Sequence, residues 1–122
     1  MMRKILLVED DPFIMDIYRT KFEEEGMEID IVKDGEEALR KIKEEPFDLL
    51  LLDIVLPKVS GWEVLEKIRE NPPKKALKIV VLSNLGQKRE VEKALNLGAA
   101  KYLIKAHYTP LEVVEEVKKL LL

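Results

Sequence analysis

The sequence predicts a single α/β domain, residues 1–122, in which a parallel five-stranded sheet lies between two layers of helices. Two observations predict this doubly wound arrangement. Short apolar runs alternate five times with longer amphipathic segments, and repeated strand–helix units place helices on both faces of a parallel sheet. Several of the apolar runs show no polar alternation, as expected for strands covered on both faces. The 122 residues suffice for one hydrophobic core.

Each predicted element follows from its own local pattern. The strands are the apolar runs Ile5–Val8, Ile29–Val32, Leu49–Leu52, Leu77–Leu82 and Tyr102–Ile104. Each helical segment repeats apolar residues three or four positions apart, which gives it one apolar face. The five stripes are Ile14, Ile17, Tyr18 and Phe22; Ala38, Leu39 and Ile42; Trp62, Leu65 and Ile68; Val91, Ala94 and Leu95; and Leu111, Val114, Val117 and Leu121.

Capping and helix-breaking residues predict where the helices begin and end. Asp and Thr cap helix starts, Pro fits the first turn, and Gly or Pro follows the last. The signals are Asp11–Pro12 and Gly26 around helix one, predicted over Pro12–Glu25; Asp34 and Pro46 around helix two; Pro72 and Pro73 after helix three; Gly98 after helix four; and Thr109–Pro110 before helix five.

The bulk composition excludes several classes of function. With 21 basic and 24 acidic residues, the net charge is −3. Non-specific electrostatic binding of nucleic acid is therefore not expected. The absence of cysteine excludes disulfides and thiolate metal sites. No run in the sequence approaches the roughly 20 apolar residues that span a bilayer, and the start does not resemble a signal peptide. We expect a cytoplasmic protein without a membrane partner.

Polar side chains that could form a site follow four of the five predicted strands, whereas Lys33–Asp34–Gly35 after strand two indicates a turn and a helix cap. The candidates for the site are Glu9 and Asp10 after strand one, Asp53 after strand three, Ser83 and Asn84 after strand four, and Lys105 after strand five. Because the carboxyl ends of parallel strands meet at one sheet edge, we expect these side chains to converge. Each of them alone is more often an ordinary cap, turn or surface residue. Their convergence is what favours a functional site.

The predicted cluster implies a particular chemistry. Carboxylates about 5 Å apart repel one another by about 3 kcal/mol per pair at an effective dielectric near 20. Lys105 would offset only part of this repulsion, whereas Mg²⁺ suits an all-oxygen site with few protein ligands and several waters. A carboxylate beside Mg²⁺, a hydroxyl and an ammonium suits phosphoryl transfer onto the carboxylate.

These residues together resemble the receiver domain of two-component response regulators. The matching elements are the acid pair Glu9–Asp10, the segment "DIVLPKVSG" over Asp53–Gly61, Ser83 and Lys105. The segment follows the family pattern Asp-x-x-(Met/Leu)-Pro-x-x-x-Gly, and the resemblance covers essentially the whole chain. It implies a CheY-like, flavodoxin-like (βα)5 fold with strand order 2-1-3-4-5.

The resemblance also implies the roles of the acidic residues. Asp53 would be the phosphoacceptor in a Mg²⁺-dependent reaction. Asp10 and Asp53 would bind the metal directly, Glu9 would bind it through water, and the backbone carbonyl of Val55 would complete the site. The protein would be no enzyme beyond catalysing its own phosphorylation and dephosphorylation.

The switch and the partners are likewise implied by the resemblance. Ser83 would move toward the phosphoryl group held by Lys105, and Tyr102 would rotate inward. The donor would be a sensor histidine kinase or a histidine phosphotransfer protein. Because the sequence ends after helix five, we expect a stand-alone receiver, monomeric or dimerising on phosphorylation. Its output would be contact with a protein target through the face of helix four, strand five and helix five.

Two positions depart from the family pattern. Proline, preceded by a cis peptide bond, commonly follows the lysine, but here the residue is Ala106. A cis bond without proline costs about 3 kcal/mol, so either this bond is trans and the loop shifts, or local strain is retained. Asn84 replaces the small residue that commonly follows the switch hydroxyl, and it could crowd entry to the site or shield the product from water.

Other functions on the same layered fold fit less well. A phosphatase of the haloacid dehalogenase type needs Asp-x-Asp after strand one, where this chain has Glu-Asp-Asp; a nuclease of the topoisomerase–primase type needs it after strand three, where position 55 is Val. A flavodoxin-like flavin site would place phosphate against three carboxylates. A receiver-shaped module that no longer cycles phosphate also stays open.

The three consecutive acids after strand one are predicted to have different roles. Glu9 and Asp10 belong to the metal site. Asp11 precedes Pro12 at a first helical position, so its carboxylate should cap helix one at the positive end of the helix dipole.

Overall fold

A computed structural model describes residues 2–122, and it has the predicted three-layer architecture. Five strands alternate with five α-helices, and a short 3₁₀ turn at Lys105–His107 follows the last strand. The strands are β1 (Lys4–Val8), β2 (Glu28–Val32), β3 (Leu49–Leu52), β4 (Lys78–Ser83) and β5 (Lys101–Ile104). The helices are α1 (Pro12–Glu24), α2 (Gly35–Glu44), α3 (Gly61–Glu70), α4 (Lys88–Asn96) and α5 (Pro110–Leu121).

The strands form one sheet with the order β2-β1-β3-β4-β5, and every neighbouring pair is parallel. This confirms the predicted fold and strand order. Since all the strands run the same way, their carboxyl ends meet at one edge. The residues that follow β1, β3, β4 and β5 are therefore brought to that edge.

Two separate hydrophobic cores lie on the two faces of the sheet. Alternate residues of each strand point to opposite faces, so Leu6 belongs to one core and Leu7 to the other. The first core holds the buried residues of α2, α3 and α4, and the second holds those of α1 and α5. Helices therefore cover both faces, which explains why the central strands read as continuous apolar runs.

Most predicted helix limits agree with the structure to within a residue or two. Helix α1 ends at Glu24, one residue before the predicted limit, and the chain leaves it through Gly26 at φ 76°, a left-handed conformation that favours glycine. Asp34 caps α2 by accepting a hydrogen bond from Glu37 N at 2.9 Å, and Thr109 caps α5.

Two leucines assigned to buried stripes are exposed, and that assignment was wrong. Leu95 on α4 is 44% exposed and Leu111 on α5 is 48% exposed. Ala94 is the buried residue of α4. Only a narrow face of this helix therefore contacts the core, and the adjacent Leu95 lies outside that face. Leu111 lies in the first turn of α5, and the buried positions of that helix begin at Val113.

None of the helices within residues 2–122 combines the length and the apolar character needed to cross a bilayer.

Candidate functional site

The site forms where four strands end at the carboxyl edge of the sheet. Glu9 directly follows β1 and is buried, while Asp53 directly follows β3 and is partly buried. Ser83 is the last residue of β4 and has no exposed surface, and Lys105 follows β5 as the first residue of the 3₁₀ turn. The structure thus places the predicted acids, hydroxyl and ammonium at one edge, each delivered by a different strand.

Lys105 joins the acids of two strands. Its Nζ lies 3.2 Å from Glu9 Oε1 and 3.2 Å from Asp53 Oδ2. All three side chains are less than a quarter exposed, so solvent screens these contacts less than it would screen a surface pair. The ammonium therefore offsets repulsion between Glu9 and Asp53 and holds their carboxylates on either side of it.

The environment of Lys105 keeps its side chain charged. Burial alone would lower the pKa of this ammonium, because it disfavours the charged form. The charges of Asp53 and Glu9 outweigh burial, and they raise the pKa of Lys105 above its ordinary value. A permanent positive charge thus faces one oxygen of Asp53 throughout the physiological pH range.

Glu9 is held by the backbone as well as by the lysine. Its Oε2 accepts hydrogen bonds from the backbone N–H groups of Asp10, at 3.0 Å, and of Asp11, at 3.1 Å. One carboxylate oxygen thus orders the turn after β1, while the other contacts Lys105. This dual engagement fixes the rotamer of Glu9 and positions the lysine.

Asp11 caps helix α1, as predicted. Its Oδ1 accepts hydrogen bonds from Phe13 N at 2.9 Å and Ile14 N at 3.4 Å, its backbone is extended, and proline follows at the start of the helix. These bonds satisfy backbone donors that an α-helix leaves free at its start. The third acid therefore has a structural role distinct from that of Glu9.

The oxygen atoms at this edge suit a hard divalent cation. Asp10 is exposed and Asp53 is partly exposed, so solvent and small ions can reach both residues. Over residues 2–122, no three acidic or histidine side chains lie close enough together to form a metal-binding group. Mg²⁺ commonly takes one or two protein carboxylates and keeps several waters, so the donors present fit this ion without such a group.

The loop after β3 positions Asp53 through close backbone packing. Asp53 Oδ1 accepts a hydrogen bond from Val55 N at 3.1 Å, and Gly61 N donates to Ile54 O at 2.8 Å. A Cβ on Gly61 would lie 2.3 Å from Asp53 O and 2.6 Å from Ile54 Cα. Glycine is required at position 61 because the backbone of Asp53 lies directly against it. Lys58 takes a left-handed conformation, with φ 63°, within the same loop.

Ser83 and Tyr102 are linked through the loop that follows β4. Ser83 Oγ accepts a hydrogen bond from Leu85 N at 3.3 Å, and the Tyr102 hydroxyl donates to Leu85 O. Burial raises the pKa of Tyr102, and its ring packs against the core beneath α4. One loop residue therefore contacts both predicted switch side chains.

The two departures from the family pattern lie on the surface beside the site. Asn84 and Ala106 are exposed, as is the side chain of Val55. Residues 2–122 contain no cis peptide bond, so the bond between Lys105 and Ala106 is trans. Of the two alternatives for that bond, the trans form is the one present, and residues 105–107 form a 3₁₀ turn.

Sequence reasoning assigned Tyr18 only to the core of α1, but the structure also relates it to the site. Tyr18 is buried, and burial raises the pKa of its phenol. The charges of Lys105 and Glu9 act on the phenol in opposite directions. The available signal was an amphipathic tyrosine on the apolar stripe of α1.

The fold and this edge define a doubly wound domain with acids, a buried hydroxyl and a lysine at its carboxyl edge. A family model described as the response regulator receiver domain matches residues 5–118. The chain therefore belongs to the response regulator receiver domain family of two-component systems. Members of this family are signalling modules, and phosphorylation on aspartate is characteristic of them.

Relatives and solved structures agree with this assignment. The chain is 37% identical over 121 residues to the phosphate regulon transcriptional regulatory protein PhoB of Rhizobium meliloti, covering 99% of this chain and 53% of that protein. It is 38% identical to the transcriptional regulatory protein ResD of Bacillus subtilis, covering 97% of this chain and 48% of that protein. The chain thus spans about half the length of these relatives.

Two receiver structures superpose along nearly the full chain. A CheY-like response regulator receiver domain protein from Methanospirillum hungatei has a TM-score of 0.88 and 34% identity, covering 99% of this chain and 94% of that one. The BeF3-activated DrrB receiver domain has a TM-score of 0.84 and 30% identity, covering 99% and 98%.

Proposed function

We propose that Asp53 accepts a phosphoryl group from a phosphohistidine of a sensor histidine kinase or a histidine phosphotransfer protein. The observation that carries this proposal is the contact of Lys105 Nζ with Asp53 Oδ2 at 3.2 Å. This contact places a positive charge beside Asp53, the partly exposed carboxylate that follows β3. Receiver domains of two-component systems work with such donors, and the reaction would take place in the cytoplasm.

The transfer is a displacement at phosphorus. An oxygen of Asp53 forms the new P–O bond, the P–N bond to the donor imidazole breaks, and the imidazole nitrogen keeps the electron pair and then takes a proton. Lys105 is placed to neutralise charge on the phosphoryl oxygens. Hydrolysis of the acyl phosphate by water returns Asp53 as a carboxylate and releases inorganic phosphate.

Mg²⁺, when bound, would neutralise charge on the phosphoryl group. Asp10, Asp53 and the Val55 carbonyl would hold it directly, with Glu9 acting through water. The hydrogen bonds of Glu9 to the turn after β1 support its indirect role, because one of its oxygens is already engaged there. Val55 N, which contacts Asp53 Oδ1, would hold the carboxylate in orientation.

The response to phosphorylation would pass through the loop after β4. Ser83 would donate a hydrogen bond to a phosphoryl oxygen and so leave its contact with Leu85 N. Tyr102 donates a hydrogen bond to Leu85 O. This hydrogen bond would then break, and the Tyr102 side chain would turn inward. Both side chains act on one loop, which couples the phosphoryl site to α4.

The output surface would be formed by α4, β5 and α5. The exposed leucines of this surface, Leu95 and Leu111, offer apolar area to a protein target or to a second copy of the chain. We propose a monomer that binds its target, or dimerises, on phosphorylation.

Beryllium fluoride, which mimics the phosphoryl group, tests the proposal. In the presence of Mg²⁺, fluorine NMR should show one bound species for the parent chain and none for Asp53→Asn. Asp16→Asn makes the same chemical change at an exposed position of α1 and should bind like the parent. Failure of the parent to bind would instead support a receiver-shaped module that no longer cycles phosphate.

Asn84 should influence the lifetime of the phosphoryl group, because it is exposed immediately after buried Ser83. In Asn84→Ala, labelling by acetyl phosphate should quicken if the amide crowds entry, and decay should quicken if it shields the product. Asn96→Ala, an exposed position on α4, is the control. Unchanged labelling and decay in Asn84→Ala would remove any role for this residue.

A further inference from the structure

A groove lies at the end of the molecule opposite Asp53. It is bounded by the last residues of α2, the loop before β3 and the segment 71–77 before β4, and its volume is about 480 Å³. Both loops lead into the amino ends of parallel strands, whereas the phosphoryl site lies at their carboxyl ends. The groove is therefore a separate site, and nothing in the proposed phosphorylation chemistry uses it.

The groove has an apolar lining. Buried Phe47 and Ile42 contribute to it, together with the partly exposed Leu77. The apolar lining is completed by three prolines, Pro46, Pro72 and Pro73. Proline restricts the backbone of both loops, so the cavity is preformed and a ligand would have little ordering to impose.

The acids around the groove are neutralised within the chain. Glu45 contacts Lys4 and Lys41, and Glu44 contacts Arg40 at 3.2 Å. Behind the groove, Asp48 pairs with Lys75 at 2.9 Å. These contacts cancel the negative charge that would otherwise repel an anion.

Two lysines on the rim remain available to a ligand. Lys43 and Lys74 line the groove and are exposed, and across residues 2–122 neither has an acidic partner within ion-pair distance. The carbonyl ends of α2 and α3 carry partial negative charge here, which the two full positive charges exceed. An apolar cavity with a positive rim is complementary to a molecule that has an apolar body and an anionic head.

We propose that this groove binds a small amphipathic carboxylate, such as a medium-chain fatty acid, with its chain against Leu77 and the prolines of the two loops and its carboxylate between Lys43 and Lys74. The volume lies within the range of about 300–1,000 Å³ that is usual for small-molecule pockets. The lining comes from two short segments of the chain, which suits a small molecule rather than an extended peptide.

A titration of the ¹⁵N-labelled chain with decanoate, kept below its micelle-forming concentration, tests the proposal. Saturable amide shifts should appear at residues 42–47 and 71–77. Decanol, which has the same chain without the charge, should bind more weakly. Shifts that do not saturate, or that concentrate elsewhere, would overturn the proposal.

Charge reversal supplies the matched comparison. The double variant Lys43→Glu, Lys74→Glu should weaken decanoate binding by at least about fivefold, because two favourable charge contacts become repulsive. Both positions are exposed, so the variant should keep its fold, with a small loss of stability because a negative charge at position 43 faces the carbonyl end of α2. Lys33→Glu changes an exposed lysine at the opposite end of the sheet and should bind decanoate like the parent. Equal affinity of the double variant and the parent would show that the rim does not recognise a carboxylate.

Discussion

Gly61 offers a steric test of how the phosphoacceptor is positioned. Replacing it with alanine would place a Cβ 2.3 Å from Asp53 O and 2.6 Å from Ile54 Cα, whereas real contacts essentially never fall below 3.0 Å. The backbone must therefore separate by about 0.7 Å, the difference between 3.0 and 2.3 Å. The obstructing atoms belong to the backbone at the end of β3, so no flexible side chain can move aside.

The expected cost follows from this overlap. Overpacking a well-packed interior costs about 1–3 kcal/mol, and a collision with backbone belongs in the upper part of that range. Alanine favours a helix over glycine by up to about 1 kcal/mol, and the first helical position gains only part of this. We expect Gly61→Ala to lower the free energy of unfolding by about 2 kcal/mol.

Urea denaturation followed by circular dichroism measures this loss. For a urea dependence of about 1–3 kcal/mol/M, the midpoint should fall by roughly 1 M. Gly86→Ala is the control, because its Cβ would meet side-chain atoms of Ile104 and no backbone, with the terminal carbon of Ile104 at 3.1 Å, and it should change stability by less than about 0.5 kcal/mol. A Gly61→Ala protein as stable as the parent would refute the claim that this glycine holds the Asp53 backbone. Beryllium fluoride should also bind the variant more weakly, since Asp53 is displaced.

Two further substitutions test the electrostatic and capping contacts. Asp11→Ala removes the cap of α1 and should destabilise the protein by about 1 kcal/mol in thermal unfolding, while Asp16→Ala, at an exposed position within the same helix, should not; equal losses would discount the cap. Hydrogen bonds from Lys4 and Lys41 lower the pKa of Glu45 to about 2, from 4.5, so its ionised form stabilises the fold above pH 4.5 and this contribution is lost as pH falls toward 2. Glu45→Gln should therefore unfold more easily than the parent at pH 7, with a difference that narrows below pH 4.5, and a difference independent of pH would contradict this account.

The fold was predictable because its signals are local. Uninterrupted apolar runs such as Leu49–Leu52 mark strands buried on both faces, and residues such as Asp34 and Thr109 cap helices through contacts only three residues away. The assignment of Leu95 and Leu111 to the core was wrong. The spacing of apolar residues predicts which face of a helix is apolar, but it does not show how much of that face is covered by the sheet. The 3₁₀ turn after β5 is too short to produce a periodic pattern.

The approach of Glu9, Asp53 and Lys105 to one another was predictable, but the geometry of their contacts was not. Strand ends identify Glu9, Asp53, Ser83 and Lys105 because parallel strands share an edge. The sequence does not show that Lys105 lies between two carboxylates or that Glu9 turns one oxygen back to the chain. These features depend on rotamers set by neighbours distant in sequence. The groove opposite Asp53 was missed for the same reason, since its two loops, residues 45–48 and 71–77, are distant from each other in the chain.

The central claim is that Asp53 is the phosphoacceptor, and intact-mass spectrometry after incubation with acetyl phosphate and Mg²⁺ tests it most directly. The parent chain should gain the mass of one phosphoryl group, and the gain should disappear when Mg²⁺ is chelated. Asp53→Asn should gain nothing, and Asp16→Asn should be labelled like the parent. Labelling of Asp53→Asn to the same extent as the parent, or no labelling of the parent at all, would contradict the account.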